Sequence, residues 1–133
     1  RSFTNLKDIK ISIWGLTYKS GTDTLRRSLA IELCEWLIEQ NAEVYVYDPI
    51  IKELPENLKN QVNRMNTPQD SIESLDALIV GTPDQNFIKD FEKISLKITK
   101  KLTIIDPTRH LHSVANNLDV NYISVGSVIK NKI

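Results

Sequence analysis

Apolar and polar positions alternate through Ile9-Lys10-Ile11-Ser12-Ile13-Trp14 and stop at Gly15, the period-two pattern of a strand. From Ser28 to Gln40 the period changes: Leu29, Leu33, Trp36 and Leu37 recur at helical spacing, and Ser28 is placed to act as N-cap. Glu43-Val44-Tyr45-Val46-Tyr47 reads as a second strand closed by Asp48-Pro49. Pro55 to Gln61 predicts a short helix, Val62 to Met65 a short strand, and Ser71 to Ser74 a helical turn. A further strand lies within Leu75 to Gly81, and Phe87, Phe91 and Ile94 mark one side of a helix over Phe87 to Lys97. Leu102-Thr103-Ile104-Ile105 forms a strand ended by Asp106-Pro107, Leu111 to Asn116 a short helix, and Val120 to Val125 a last strand.

Strands and helices that alternate through short connections predict an α/β fold, a Rossmann-like three-layer sandwich with a mostly parallel sheet. In such a sheet, ligands bind beyond the carboxyl ends of the strands. Three of those ends carry suggestive residues: the loop after Gly15, the turn Gly81-Thr82-Pro83-Asp84, and Asp106-Pro107-Thr108-Arg109.

A length of 133 residues is that of one domain, here 7–133 behind a linker-like opening at 1–6. The chain opens at Arg1 and its one methionine is Met65, so it reads as part of a longer polypeptide. No apolar run approaches the ~20 residues of a helical membrane span, and a cytoplasmic protein is the simplest reading. Net charge is zero, but Asp48 to Ser95 holds 5 basic and 9 acidic residues while Leu96 to Ile133 holds 6 and 2. That imbalance is too mild for a nucleic-acid groove and fits a local anion pocket.

The loop from Gly15 to Arg27 places Lys19, Arg26 and Arg27 between the first strand and its helix. It has neither the G-x-G-x-x-G spacing of a dinucleotide fingerprint nor a Walker loop. Cations oppose the positive end of a helix dipole, whereas an anion bound there would reverse that sign and use the free N–H groups. The alternative is solvated surface charge, with Asp23 paired to an arginine. Arg109 stands just past a strand end and offers a planar fork to phosphate oxygens. His110 and His112 beside it lack the further ligands a metal would need.

Cys34 falls on the apolar side of its helix, where a thiol packs as a small hydrophobe. Asp48 sits where Rossmann folds often keep an acid for ribose hydroxyls, but without the glycine fingerprint a turn-forming Asp-Pro explains it better. Tyr18 could stack on a base; Tyr45 and Tyr47 read as sheet-face residues. No nucleophile–base pair or acid/base carboxylate pair is evident, so no catalytic residue and no metal ligand is assigned.

The run Ile11-Ser12-Ile13-Trp14-Gly15-Leu16-Thr17-Tyr18-Lys19, with Thr22-Asp23, Arg26 and Ser28, resembles the C-terminal, UDP-binding domain of the UDP-glucose/GDP-mannose dehydrogenases. Val46-Tyr47-Asp48-Pro49 and Asp106-Pro107-Thr108-Arg109 resemble that family's second strand and a late arginine segment. The resemblance implies part of an NAD-dependent enzyme that oxidises the C6 alcohol of a nucleotide sugar to a carboxylate. It implies that Tyr18, Lys19 and Arg109 contact the sugar nucleotide, a UDP-sugar or a relative, and that Arg26 reaches toward NAD. The NAD-binding domain, the central region and the catalytic cysteine would lie elsewhere in the parent chain, which would pair as a homodimer or larger. Ser20, Gly21, Thr24, Arg27 and Leu29 depart from the common pattern and leave the choice of sugar open. A free-standing nucleotide-binding or regulatory module is the competing reading.

Overall fold

The computed structural model describes residues 6–17, 28–51, 53–67, 75–98, 101–116 and 118–124. In chain order these form β1 (Lys10–Trp14), α1 (Leu29–Glu39), β2 (Glu43–Tyr47), α2 (Glu56–Lys59) and β3 (Asn63–Arg64). There follow β4 (Ala77–Val80), α3 (Phe87–Ser95), β5 (Leu102–Ile105), α4 (His112–Ala115) and β6 (Val120–Ile123). The expected strands and helices are present with ends trimmed by a residue or two, as fraying termini require. The helical turn expected at Ser71 to Ser74 lies outside the described residues.

Every strand pairing is parallel, in the order β3-β2-β1-β4-β5-β6. The sheet is therefore wholly parallel among the described residues, not merely mostly so. Parallel neighbours require a crossover, and the helices supply crossovers that return the chain to the same edge. The chain builds outward from β1 through β2 to β3, then returns to the other flank of β1 and builds outward again. The reversal falls between β1 and β4.

Alternation along the strands divides the core in two. Ile11 and Ile13 of β1, Val44 and Val46 of β2 and Ile79 of β4 face α1 and α2, meeting Ala30, Ile31, Cys34, Leu37 and Leu58. Trp14, Leu78, Val80, Leu102 and Ile104 point the other way, against Phe87, Phe91 and Ile94 of α3 and Leu111 and Ala115 beside and on α4. Tyr45 and Tyr47 pack on this second cluster, as the strand pattern predicts. Phe87 and Phe91 are wholly buried, and each such side chain contributes about 1.5–3 kcal/mol relative to an exposed one.

Ser28 caps α1 by accepting from the Ile31 N–H at 3.2 Å. Cys34 is fully buried, and that burial, with Glu35 adding to it, pushes its thiol up to about 12. It remains a protonated, packed thiol at neutral pH, as its place on the apolar side of the helix predicts.

Candidate functional site

Because the strands run parallel, the ends of β1, β2, β4, β5 and β6 share one edge, and the reversal between β1 and β4 sets the crevice of an open α/β sheet there. Two glycines shape that crevice. Gly15 has φ +90°, and a Cβ on it would overlap the Thr82 carbonyl oxygen and lie 2.7 Å from the Thr82 nitrogen. A Cβ on Gly81 would collide with the Gly15 carbonyl oxygen and come within 2.9 Å of the Ala30 Cβ. Glycine at both positions lets the ends of β1 and β4 meet backbone to backbone.

The same place consumes backbone groups. Gly15 N donates to Tyr47 O and Gly81 N to Trp14 O, each at 2.8 Å. Leu16 N donates to Asp48 Oδ2 at 2.7 Å, while the Ser28 hydroxyl donates to Leu16 O. The Thr82 hydroxyl donates to Thr17 O. The last described residue after β1, Thr17, and the first before α1, Ser28, are thus both tied down, and both are buried. Tyr18, Lys19 and Arg26 belong to the segment 18–27 between these anchors and lie outside the described residues.

Asp48 serves more than its turn. Its Oδ1 accepts from Ile50 N at 2.8 Å and Ile51 N at 3.2 Å, the turn expected of Asp-Pro, while Oδ2 holds the loop after β1. All three bonds use the carboxylate that would otherwise face a ribose. Gly15 is thus closed on Thr82, and Leu16 N is taken by Asp48.

The end of β5 is built differently. Asp106 is fully buried, and Tyr122 on the edge strand β6 donates its hydroxyl to Oδ2 at 2.7 Å. The same carboxylate accepts from His110 N at 3.0 Å and Leu111 N at 2.6 Å, and the Asp106 carbonyl accepts from Arg109 N at 3.0 Å. Three successive N–H groups wrap one residue, and Arg109 takes φ +61° as the chain turns. Its guanidinium Nη1 donates to the buried Ser124 Oγ at 3.3 Å. Burial, then the hydrogen bond and charge of Asp106, push the Tyr122 phenol upward, so it stays a donor; the Arg109 charge opposes them.

The structure brings Arg109 and the anchors of segment 18–27 to one edge, with β4 between their strands. Two interstrand spacings of ~4.8 Å put the ends of β1 and β5 roughly 10 Å apart, within the span of one nucleotide. His110 is engaged by the Asp84 carbonyl at 2.7 Å, and His112 packs on Tyr122 with ring centroids 5.6 Å apart. Among the described residues, no three His, Cys, Asp or Glu side chains are grouped to hold a metal. Tyr47 lies over Phe87 with its hydroxyl 3.4 Å from Asp90; burial, then Asp90, push its phenol up to about 12. Sequence reading missed Tyr122 and Ser124 as parts of this edge, whereas Thr82 lies in the Gly81-Thr82-Pro83-Asp84 turn expected there. The repeated Asp-Pro at two strand ends was the available signal for a buried carboxylate gathering loop donors.

The sequence matches the family described as "UDP-glucose/GDP-mannose dehydrogenase family, UDP binding domain" over residues 12–113. It is 33% identical over 132 residues to a UDP-glucose 6-dehydrogenase of Gallus gallus, covering 89% of this chain and 27% of that protein. It is 35% identical over 88 residues to a UDP-N-acetyl-D-mannosamine dehydrogenase of Methanococcus aeolicus, covering 66% of this chain and 18% of the other. The chain spans about a quarter of the length of the first curated relatives it matches. A solved UDP-glucose dehydrogenase from the hyperthermophilic archaeon Pyrobaculum islandicum shares the fold, with TM-score 0.67 and 23% identity over 89% of this chain and 25% of that one. No helix among the described residues is long and apolar enough to cross a membrane. The match over residues 12–113 places the chain in the UDP-binding-domain family of the UDP-glucose/GDP-mannose dehydrogenases.

Proposed function

We propose that this chain is the sugar-nucleotide-binding domain of an NAD-dependent nucleotide-sugar 6-dehydrogenase. Such an enzyme oxidises the C6 alcohol of the sugar to a carboxylate and supplies uronic-acid precursors for polysaccharide synthesis. The observation that carries the reading is Arg109, held past the end of β5 on the same edge as the two anchors of segment 18–27. Arg109 and Lys19 supply the cations for the diphosphate, and Tyr18 lies beside them. Arg26 reaches toward NAD, which is held chiefly by a separate domain of the parent chain, in keeping with the absence of a G-x-G-x-x-G fingerprint after β1. In this reading residues 7–133 are one domain, the parent assembles as a homodimer or larger in the cytoplasm, and neither nucleic acid nor membrane is a partner. The domain's chemical work is to bind and orient; the catalytic cysteine and the hydride acceptor lie outside it, and the isolated chain produces no NADH.

Calorimetric titration with UDP tests this. Charge-assisted contacts contribute about 1.5–3 kcal/mol each, so Lys19→Ala and Arg109→Ala should each weaken UDP roughly ten- to a hundredfold. In the parent enzyme, Arg26→Ala should harm cofactor-dependent steps and spare UDP binding. Wild-type chain that ignores UDP, or two alanine variants that bind it as tightly as wild type, would sink the reading.

A further inference from the structure

We propose that Tyr122 is a positioning residue for the Arg109 guanidinium, acting through Asp106; the inference rests on Arg109 being a ligand for the sugar nucleotide. Arg109 sits in the left-handed region at φ +61°, which an L-residue occupies at a cost and keeps only where its surroundings over-determine it. What over-determines it is Asp106, whose carbonyl and carboxylate gather the N–H groups of Arg109, His110 and Leu111 in succession.

That carboxylate must hold one orientation to meet both His110 with Oδ1 and Leu111 with Oδ2. Tyr122 supplies the third bond, from the far side of the corner, to the oxygen that takes Leu111 N. Its ring is braced by His112 at the start of α4, the helix into which the corner leads. Ser124, which accepts from the Arg109 side chain, follows Tyr122 by two residues on the same stretch of chain. β6 and the residue that follows it therefore set both the backbone from which Arg109 departs and a hydrogen bond to its guanidinium.

A bidentate cation gains its advantage over a point charge through direction, so a loosened corner weakens the ligand even when the arginine is present. Tyr122→Phe removes the hydroxyl and keeps the ring against His112, and Asp106 still has two N–H donors. This variant folds with the corner intact but less constrained.

The test is a double-mutant cycle read by UDP calorimetry on the full 133-residue chain, with wild type, Tyr122→Phe, Arg109→Ala and the double variant. Tyr122→Phe is expected to weaken UDP about fivefold when Arg109 is present and less than about twofold in the Arg109→Ala background. Its effect on the melting temperature should be the same in both backgrounds, which separates positioning from general stability. An equal loss of affinity in both backgrounds, or no loss in the first, overturns the proposal. Arg109→Ala that leaves UDP affinity unchanged overturns the reading of Arg109 itself, whatever Tyr122 does.

Discussion

Asp48-Pro49 and Asp106-Pro107 are the same dipeptide at equivalent places, the carboxyl ends of two parallel strands, and both aspartates are buried. At β2 the carboxylate reaches sideways to Leu16 N and turns its other oxygen to Ile50 and Ile51. It stitches two strand ends together and closes the crevice over them. At β5 the carboxylate gathers donors from its own loop and from Tyr122, and the result is an arginine in a left-handed conformation. One corner seals the edge and the other presents a cation on it. The difference lies in which donors lie within reach, since a carboxylate offers several acceptor sites and takes those the fold provides.

The largest effect should follow Asp106→Ala, which strands the N–H groups of His110 and Leu111 and the Tyr122 hydroxyl. Each buried group left without a partner costs about 1–3 kcal/mol, so a loss near 4 kcal/mol is expected in urea unfolding. A loss under about 1 kcal/mol would show that the corner is not held by its carboxylate. Asp48→Asn should cost less, about 2 kcal/mol, because the amide oxygen still serves Ile50 and Ile51 while the NH₂ confronts Leu16 N. Hydrogen exchange would then show Leu16 N unprotected and the Ile50 and Ile51 amides still slow; uniform loss would dissolve the distinction between tie and turn. The smallest effect separates the corners by size. Arg109→Gly relieves a left-handed residue, which offsets the loss of its bond to Ser124 and should leave stability within about 0.5 kcal/mol of wild type, whereas Ile50→Gly should lower it by about 1 kcal/mol. Equal destabilisation by both glycines would mean that Arg109 is under no backbone strain.

Much of the fold was legible because its signals are local. Alternation in Ile11 to Trp14 and the helical spacing of Phe87, Phe91 and Ile94 each fit within one element, and each element formed where its pattern lay. That the strand ends share one edge was legible too, since parallel strands must end together. The internal wiring of the edge was not. Asp48 meets Leu16 across 32 positions and Asp106 meets Tyr122 across 16, and no local period marks either partner. Arg109 could be placed past a strand end from sequence, but its backbone conformation depends on which N–H groups Asp106 collects. Asp48 illustrates the same limit: Asp-Pro foretold a turn, and the second oxygen's use depended on where the first strand's loop would lie. Tyr18, Lys19 and Arg26 were singled out from the resemblance and fall outside the described residues, so their roles stand as part of the proposal above.

The strand order also sets a timetable for folding. No two sheet neighbours form a hairpin; Ile11 pairs with Val44 on one side and Ala77 on the other, so each pairing must close a long stretch of chain first. β1 gains its first neighbour only when β2 exists, and its second only when β4 does. The Arg109 corner waits longest, because Tyr122 and Ser124 arrive with the last strand. As the chain emerges during synthesis, the body of the sheet can assemble while this corner still lacks its Tyr122 bond. The sheet is therefore built outward from β1, and among its described parts the Arg109 corner is completed only when β6 has joined.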